Sequence, residues 1–137
     1  MKKAKIVGII AIVITTVIVG RMVWQVDDWG RDWTVNTADL PATSLDSEPN
    51  ELVDQIKQWA KNERRWTVET IDNKTGTTNI HLTRRTLIMR YVDDVRIQIQ
   101  PSETGSVLSA NSTSRLGKGD LGQNPRNLRE LKRALGV

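Results

Sequence analysis

The densest polar chemistry in the chain lies in Ser112-Thr113-Ser114-Arg115-Leu116-Gly117-Lys118-Gly119-Asp120-Leu121-Gly122-Gln123-Asn124. Backbone N–H groups next to glycine can form an anion-binding concavity, and a helix opening at Asn124-Pro125 would add the positive end of its dipole. Arg115 and Lys118 supply full charges, and Arg126 falls on the first helical turn. The candidate binding set is therefore Ser112, Ser114, Arg115, Gly117, Lys118, Asp120, Gly122, Asn124 and Arg126, suited to phosphate, sulfate or carboxylate. In the competing reading the glycines only turn the chain from strand to helix, while Asp120 accepts loop N–H bonds or pairs with Arg115. Lys118 is followed by Gly119, so the phosphate loop G-x-x-x-x-G-K-[ST] is absent.

Asp93 and Asp94 are the next candidates. Adjacent strand residues face opposite sides, which places the pair poorly for one acid–base step. They are expected as polar partners, in turn chemistry and in a salt bridge to Arg115 or Arg126. A three-carboxylate cation site with Asp120 is the alternative. His81 is the only histidine, and without a G-x-S-x-G elbow it does not make a serine hydrolase. No catalytic residue, metal site or cofactor is assigned. On a strand Ser112 and Ser114 point one way, and Asn111, Thr113 and Arg115 the other. A buried serine pair needs partners, expected in the loop or around Asp93 and Asp94. Asn73-Lys74-Thr75 and Asn111-Ser112-Thr113 match the glycosylation sequon by pattern only.

The elements that would position these residues follow from periodicity. Leu52, Val53, Ile56, Trp59 and Ala60 mark one face of a helix over 51–64, with Ser47 or Asn50 as cap and Pro49 early. Strands are expected over 66–72, 77–83, 86–92, 95–100 and 106–113, with a hairpin at Asn73-Lys74-Thr75-Gly76. The stretch 86–92 is apolar on both faces and reads as a central strand, with Arg84-Arg85 at a turn or kink before it. Asn124 caps the last helix, Leu128, Leu131 and Leu135 face the core, and Gly136 stops it. The order argues for an α+β domain, an antiparallel sheet of about five strands with two helices on one face.

Ahead of the domain, residues 6–24 are almost wholly apolar, and as a helix would span about 28 Å. The organisation expected is a cytoplasmic tip and transmembrane anchor at 1–26, an acidic tether at 27–48 and the α+β domain at 49–137. A cleaved signal peptide is the alternative, though no small-x-small site follows Gly20. Lys2, Lys3 and Lys5 precede the span, and Arg21, Asp27 and Asp28 follow. The N-terminus is thus expected in the cytoplasm and the domain on the periplasmic or lumenal side. Trp24, Trp29 and Trp33 suit an aromatic belt, with packing on the domain the alternative for Trp33. Four of the 20 basic residues flank the anchor, leaving 16 against 16 acids and no net charge in the rest. That balance argues against a nucleic-acid partner. The absence of cysteine removes disulfides and thiolate chemistry.

Taken together, Asp93-Asp94, Ser112-Thr113-Ser114-Arg115-Leu116-Gly117, Asp120-Leu121-Gly122-Gln123-Asn124 and Arg126 resemble a small bacterial and plastid family catalogued as domain of unknown function 1499. That family's pattern is an aspartate pair on a strand, then R-S-x-S-R-x-G…D-x-G-x-N. Asn111 stands where the pattern has its first Arg, and Pro49-Asn50-Glu51-Leu52-Val53 where it has a cysteine-containing segment. The resemblance runs from about Ser47 to the C-terminus and implies an envelope or thylakoid-type setting for some members, without an established activity; the localisation expected is the cell inner membrane or a thylakoid-type membrane. The leading functional expectation is a non-enzymatic anchored module, touching the bilayer through residues 6–24 and binding a partner protein or small anionic ligand through the Arg115–Arg126 loop. Alternatives are an enzyme on an envelope lipid or phosphate ester using Asp93, Asp94, Asp120 and Arg115, and a structural subunit of a membrane assembly.

Overall fold

The computed structural model describes residues 2–24, 26, 28–87 and 89–137, apart from the side chains of residues 2–4 and 22. Expectations resting on Asp27, on Ile88 and on the side chains of Lys2, Lys3 and Met22 lie outside the described residues. The element order is α1 (Lys2–Trp24), α2 (Trp29–Thr34), β1 (Thr37–Leu45), α3 (Pro49–Asn62), β2 (Trp66–Lys74), β3 (Thr77–Arg85), β4 (Val92–Ser102), β5 (Gly105–Ser114) and α4 (Gln123–Leu135). Among the described residues no helix is long and apolar enough to cross a membrane.

The fold is α+β: among the described residues there are one five-stranded antiparallel sheet, in the order β1-β5-β4-β3-β2, and four helices. Strand alternation sends Ile80, Leu82, Val95, Ile97, Ile99, Leu108 and Ala110 to one face. There they meet Leu52, Ile56 and Ala60 of α3 and Leu128 and Leu131 of α4. Each helix carries one apolar stripe, which buries by lying on the sheet. Trp59 and Trp66 close the core at one side, ring centroids 4.7 Å apart.

Three expectations are corrected. The acidic tether is not a plain linker, because Thr37–Leu45 pairs with β5 as an edge strand. Its period is hidden by Pro41, which sits where the register shifts between Leu40 and Thr43, a bulge that an edge strand tolerates. Thr86–Val92 is not a central strand: Arg85 pairs directly with Val92, so the described residues between them belong to the turn of a hairpin. Thr86 N–H donates to Tyr91 O and Tyr91 N–H to Thr86 Oγ1, each at 2.9 Å, with Arg90 at φ 56°. Arg84 and Arg85 continue β3, with the Arg84 side chain buried on the core face. Third, α3 has Glu48 at its N-cap, in a capping box with Glu51, in place of Ser47 or Asn50.

Gly105 opens β5 at φ 138°, with its Cα pressed on the end of β1 where an added Cβ would strike Leu45 O and the Asp46 backbone. Gly105→Ala is therefore expected to cost more than about 1 kcal/mol, read as a lower urea midpoint.

Candidate functional site

Six side chains from three elements converge under the N-terminal end of α4. Asp93 on β4 and Ser112 and Ser114 on β5 all face the core, and Gln123, Asn124 and Asn127 descend from α4. Asp93 is 1% exposed, and Ser112, Asn124 and Asn127 are 0% exposed. Buried polar groups persist only when partnered, and here the pairing is continuous. Ser112 Oγ donates to Asn124 Oδ1 at 2.6 Å and accepts from Asn127 Nδ2 at 3.0 Å. Ser114 Oγ donates to Asp93 Oδ1 at 2.7 Å and accepts from Asn124 Nδ2 at 3.1 Å. Asn127 Nδ2 also donates to Asp93 Oδ2 at 3.0 Å, and its own Oδ1 accepts from Gln123 Nε2 at 2.7 Å. The serine partners expected from strand alternation are thus in place.

The same network captures the N-terminal segment. Asn36 O accepts from Asn124 Nδ2 at 2.6 Å and from Ser114 N–H at 3.0 Å. Asn36 Nδ2 returns a bond to Gly117 O at 2.8 Å. Leu121 N–H donates to Asp32 O at 3.0 Å. The loop glycines give α2 its clearance: a Cβ on Gly119 would collide with the Trp33 and Asp32 backbone. One on Gly122, at φ 74°, would lie 2.6 Å from Asp32 Oδ2. They serve a close approach between two parts of the chain.

Asp120 closes the turn, accepting from Gly122 N–H at 2.9 Å and Asn124 N–H at 2.6 Å. A carboxylate thus already occupies the first turn of α4. Asn124 is not the helix cap: Gly122 holds that position, and the Asn124 side chain turns into the core. Arg126 reaches back to Leu121 O at 3.0 Å and Gln123 Oε1 at 3.2 Å.

On the opposite, open face of the sheet Asp94 takes a bidentate grip from Arg115, Nε to Oδ2 at 2.8 Å and Nη2 to Oδ1 at 2.7 Å. His81 Nε2 lies 2.7 Å from Asp94 Oδ1. The Arg115 hydrogen bonds, aided by His81 and by both charges against an opposing desolvation, hold the Asp94 carboxyl at about 2. The same bond raises the Arg115 guanidinium.

The sequence-selected residues therefore divide into two groups. Ser112, Ser114, Asp93 and Asn124 form one buried network, whereas Asp94 and Arg115 lie across the sheet from it. Asp93, Asp94 and Asp120 do not converge, and among the described residues no group of three His, Cys, Asp or Glu is placed to hold a metal. Sequence reasoning missed Asp32, Asn36 and Asn127. Asn127 is three residues from Asn124 on α4, a helical spacing that places both on one face. Asn36 carries no local signal, its bonds spanning 78 to 88 residues. Lys118 remains exposed beside a shallow depression of about 300 Å³ lined by Trp33, Lys118, Gly119 and Leu121.

The chain belongs to the family described as protein of unknown function (DUF1499), whose model matches residues 25–135. The match takes in α2 and β1. No curated protein matches the chain.

Asn124→Ala and Asn127→Ala each strand buried partners and should lose about 1–3 kcal/mol in urea unfolding. Ser112→Ala combined with Asn127→Ala should lose less than the sum, because the two share a bond. The Asp94 carboxyl is lower in the folded state than its ordinary value of about 3.9. Its contribution is therefore complete above about pH 4 and disappears as the pH falls towards about 2. Asp94→Asn should flatten that part of the stability–pH curve.

Proposed function

We propose that this protein is a single-pass, membrane-anchored and non-enzymatic module, held on the periplasmic or lumenal side of an inner or thylakoid-type membrane. Its exposed loop rim, Lys118 beside Trp33, takes up a small anionic group. The observation that carries the non-enzymatic reading is the separate occupation of the three carboxylates. Asp93 is spent within the buried network, Asp94 on Arg115 and Asp120 on the first turn of α4. An enzyme that used these carboxylates together would need them within hydrogen-bond reach of one substrate, and their separate partners leave them apart.

Support for the anchor comes from α1. From Ile6 to Val19 its Ile and Val side chains are exposed on every face, the pattern of a helix surrounded by hydrocarbon. Lys5 lies at its start and Arg21 near its end. With Lys2 and Lys3 ahead of it in the sequence, the positive-inside bias orients the chain. The narrower anion site reflects where the loop's polar groups point. Ser112, Ser114 and Asn124 face inward, whereas Lys118 is exposed on the rim beside Trp33.

The chain has no cysteine, which makes single-cysteine labelling clean. In intact spheroplasts a membrane-impermeant maleimide should label Lys74→Cys and leave Lys5→Cys unlabelled. Alkaline carbonate should leave the protein in the pellet. Reversed labelling would overturn the orientation, and release by carbonate would overturn the anchor. Inorganic phosphate should perturb tryptophan fluorescence in the native chain and several-fold less in Lys118→Ala; equal responses would remove the anion site.

A further inference from the structure

The two ends of the sheet have opposite surface chemistry. One end carries the β2–β3 turn at Thr75-Gly76, the β4–β5 turn at Glu103-Thr104 and the entry to α3. Its pairings, Lys74 with Thr77, Ser102 with Gly105 and Leu45 with Ser106, place these features together. It is polar and predominantly acidic, with Asp46, Glu48, Glu51 and Glu103. The other end carries the β3–β4 loop, the glycine loop after β5, and α2. The pairings Arg85 with Val92, Asp93 with Ser114 and Thr37 with Thr113 bring these together.

At this second end several large apolar side chains meet solvent. Leu87 is 78% exposed, Met89 60%, Tyr91 44% and Leu116 64%. They come from two loops joined at the base, since Arg115 N–H donates to Val92 O at 3.0 Å. Trp33, 65% exposed, lies on α2 against the same glycine loop. Exposed cations lie at the same end, among them Arg64, Arg65, Arg85, Arg90 and Lys118, and outnumber the exposed acids Asp28 and Glu63. Exposed apolar groups collected at one end mark an interaction surface. Their interleaving with cations is complementary to an interface that is negative outside and apolar beneath, as in an anionic bilayer.

We propose that this end of the domain rests on the membrane that holds α1. Leu87, Met89 and Leu116 enter the headgroup–acyl boundary, and the cations at this end contact phospholipid phosphates. This names the anionic group of the loop rim as a lipid headgroup, and it rests on the anchored reading above. The chain's own connectivity supports it. Residues 25–28 alone separate α1 from α2, a reach of at most about 14 Å. The bond from Leu121 N–H to Asp32 O holds α2 on the glycine loop. The end of the domain that receives the anchor is therefore the apolar, basic one, and the acidic end lies a sheet's length away.

The test places an environment-sensitive fluorophore on single cysteines at Leu87, Leu116, Glu103 and Ile12 of the full chain, in vesicles with and without phosphatidylglycerol. All are exposed positions. The probes at 87 and 116 should shift to the blue and be quenched by lipid-borne nitroxides several-fold more than the probe at 103. The effect should fall without phosphatidylglycerol. Probes at 87 and 116 as aqueous as that at 103, with 12 in lipid, would overturn docking and leave the anchor standing. An aqueous probe at 12 with 87 and 116 still in lipid would uphold docking while overturning the anchor. All four aqueous would overturn both. Blue-shifted probes at 87 and 116 that lipid nitroxides do not quench would assign the surface to a protein contact and overturn the lipid proposal.

Discussion

A sheet with helices on one face has a dry interior, and polar side chains placed there must find every partner inside the protein. Asn124 is where this molecule meets that constraint. Its Oδ1 accepts from Ser112, and its Nδ2 donates to Ser114 Oγ and to Asn36 O. Three separate parts of the chain, β5, α4 and the segment ahead of β1, are joined through one side-chain amide. The bonds are directional, so they fix the seating of α4 on the sheet more tightly than apolar packing by Leu128 and Leu131 would alone. Beside the network, Arg84 stacks over Trp66 at 5.9 Å and pairs with Glu130 at 3.0 Å. Among the described residues its Nη1 is the one buried side-chain donor left without a partner.

That economy of hydrogen bonds shapes the functional reading. A signature rich in serine, asparagine, aspartate and glycine looks like a ligand cradle, yet its inward-facing members are already satisfied by one another. Glycine at 119 and 122 admits a neighbouring helix where a ligand cradle would admit a phosphate. What remains accessible is the outer rim, where Leu116 and Lys118 are exposed. The inner part of the loop fixes the path of the chain, and its outer part meets the surroundings.

The legible parts were those set by short-range periodicity. Alternation separated Asp93 from Asp94 and put the two serines on the inner face, because a strand side chain has only two directions to take. The helical stripes of α3 and α4 and the Gly136 stop were equally local. Edge strand β1 was hidden by Pro41 and a bulge, with an acidic composition typical of linkers. The apolar run after Arg85 imitated a buried strand, but its described side chains sit on an exposed hairpin turn. Asn124 imitated a helix cap because asparagine favours that position, whereas Gly122 takes it and the amide turns inward. Asp32 and Asn36 were illegible because their partners lie tens of residues away and appear only when the sheet closes.

The signature network is the joint tying the N-terminal segment and α4 to the sheet. Hydrogen exchange of the full chain, native against Asn124→Ala, tests it most directly. Residues 36–45 and 123–135 should lose protection together while β3, at 77–85, keeps its own. Loss confined to the turns around position 124, with β1 protected as before, would contradict it.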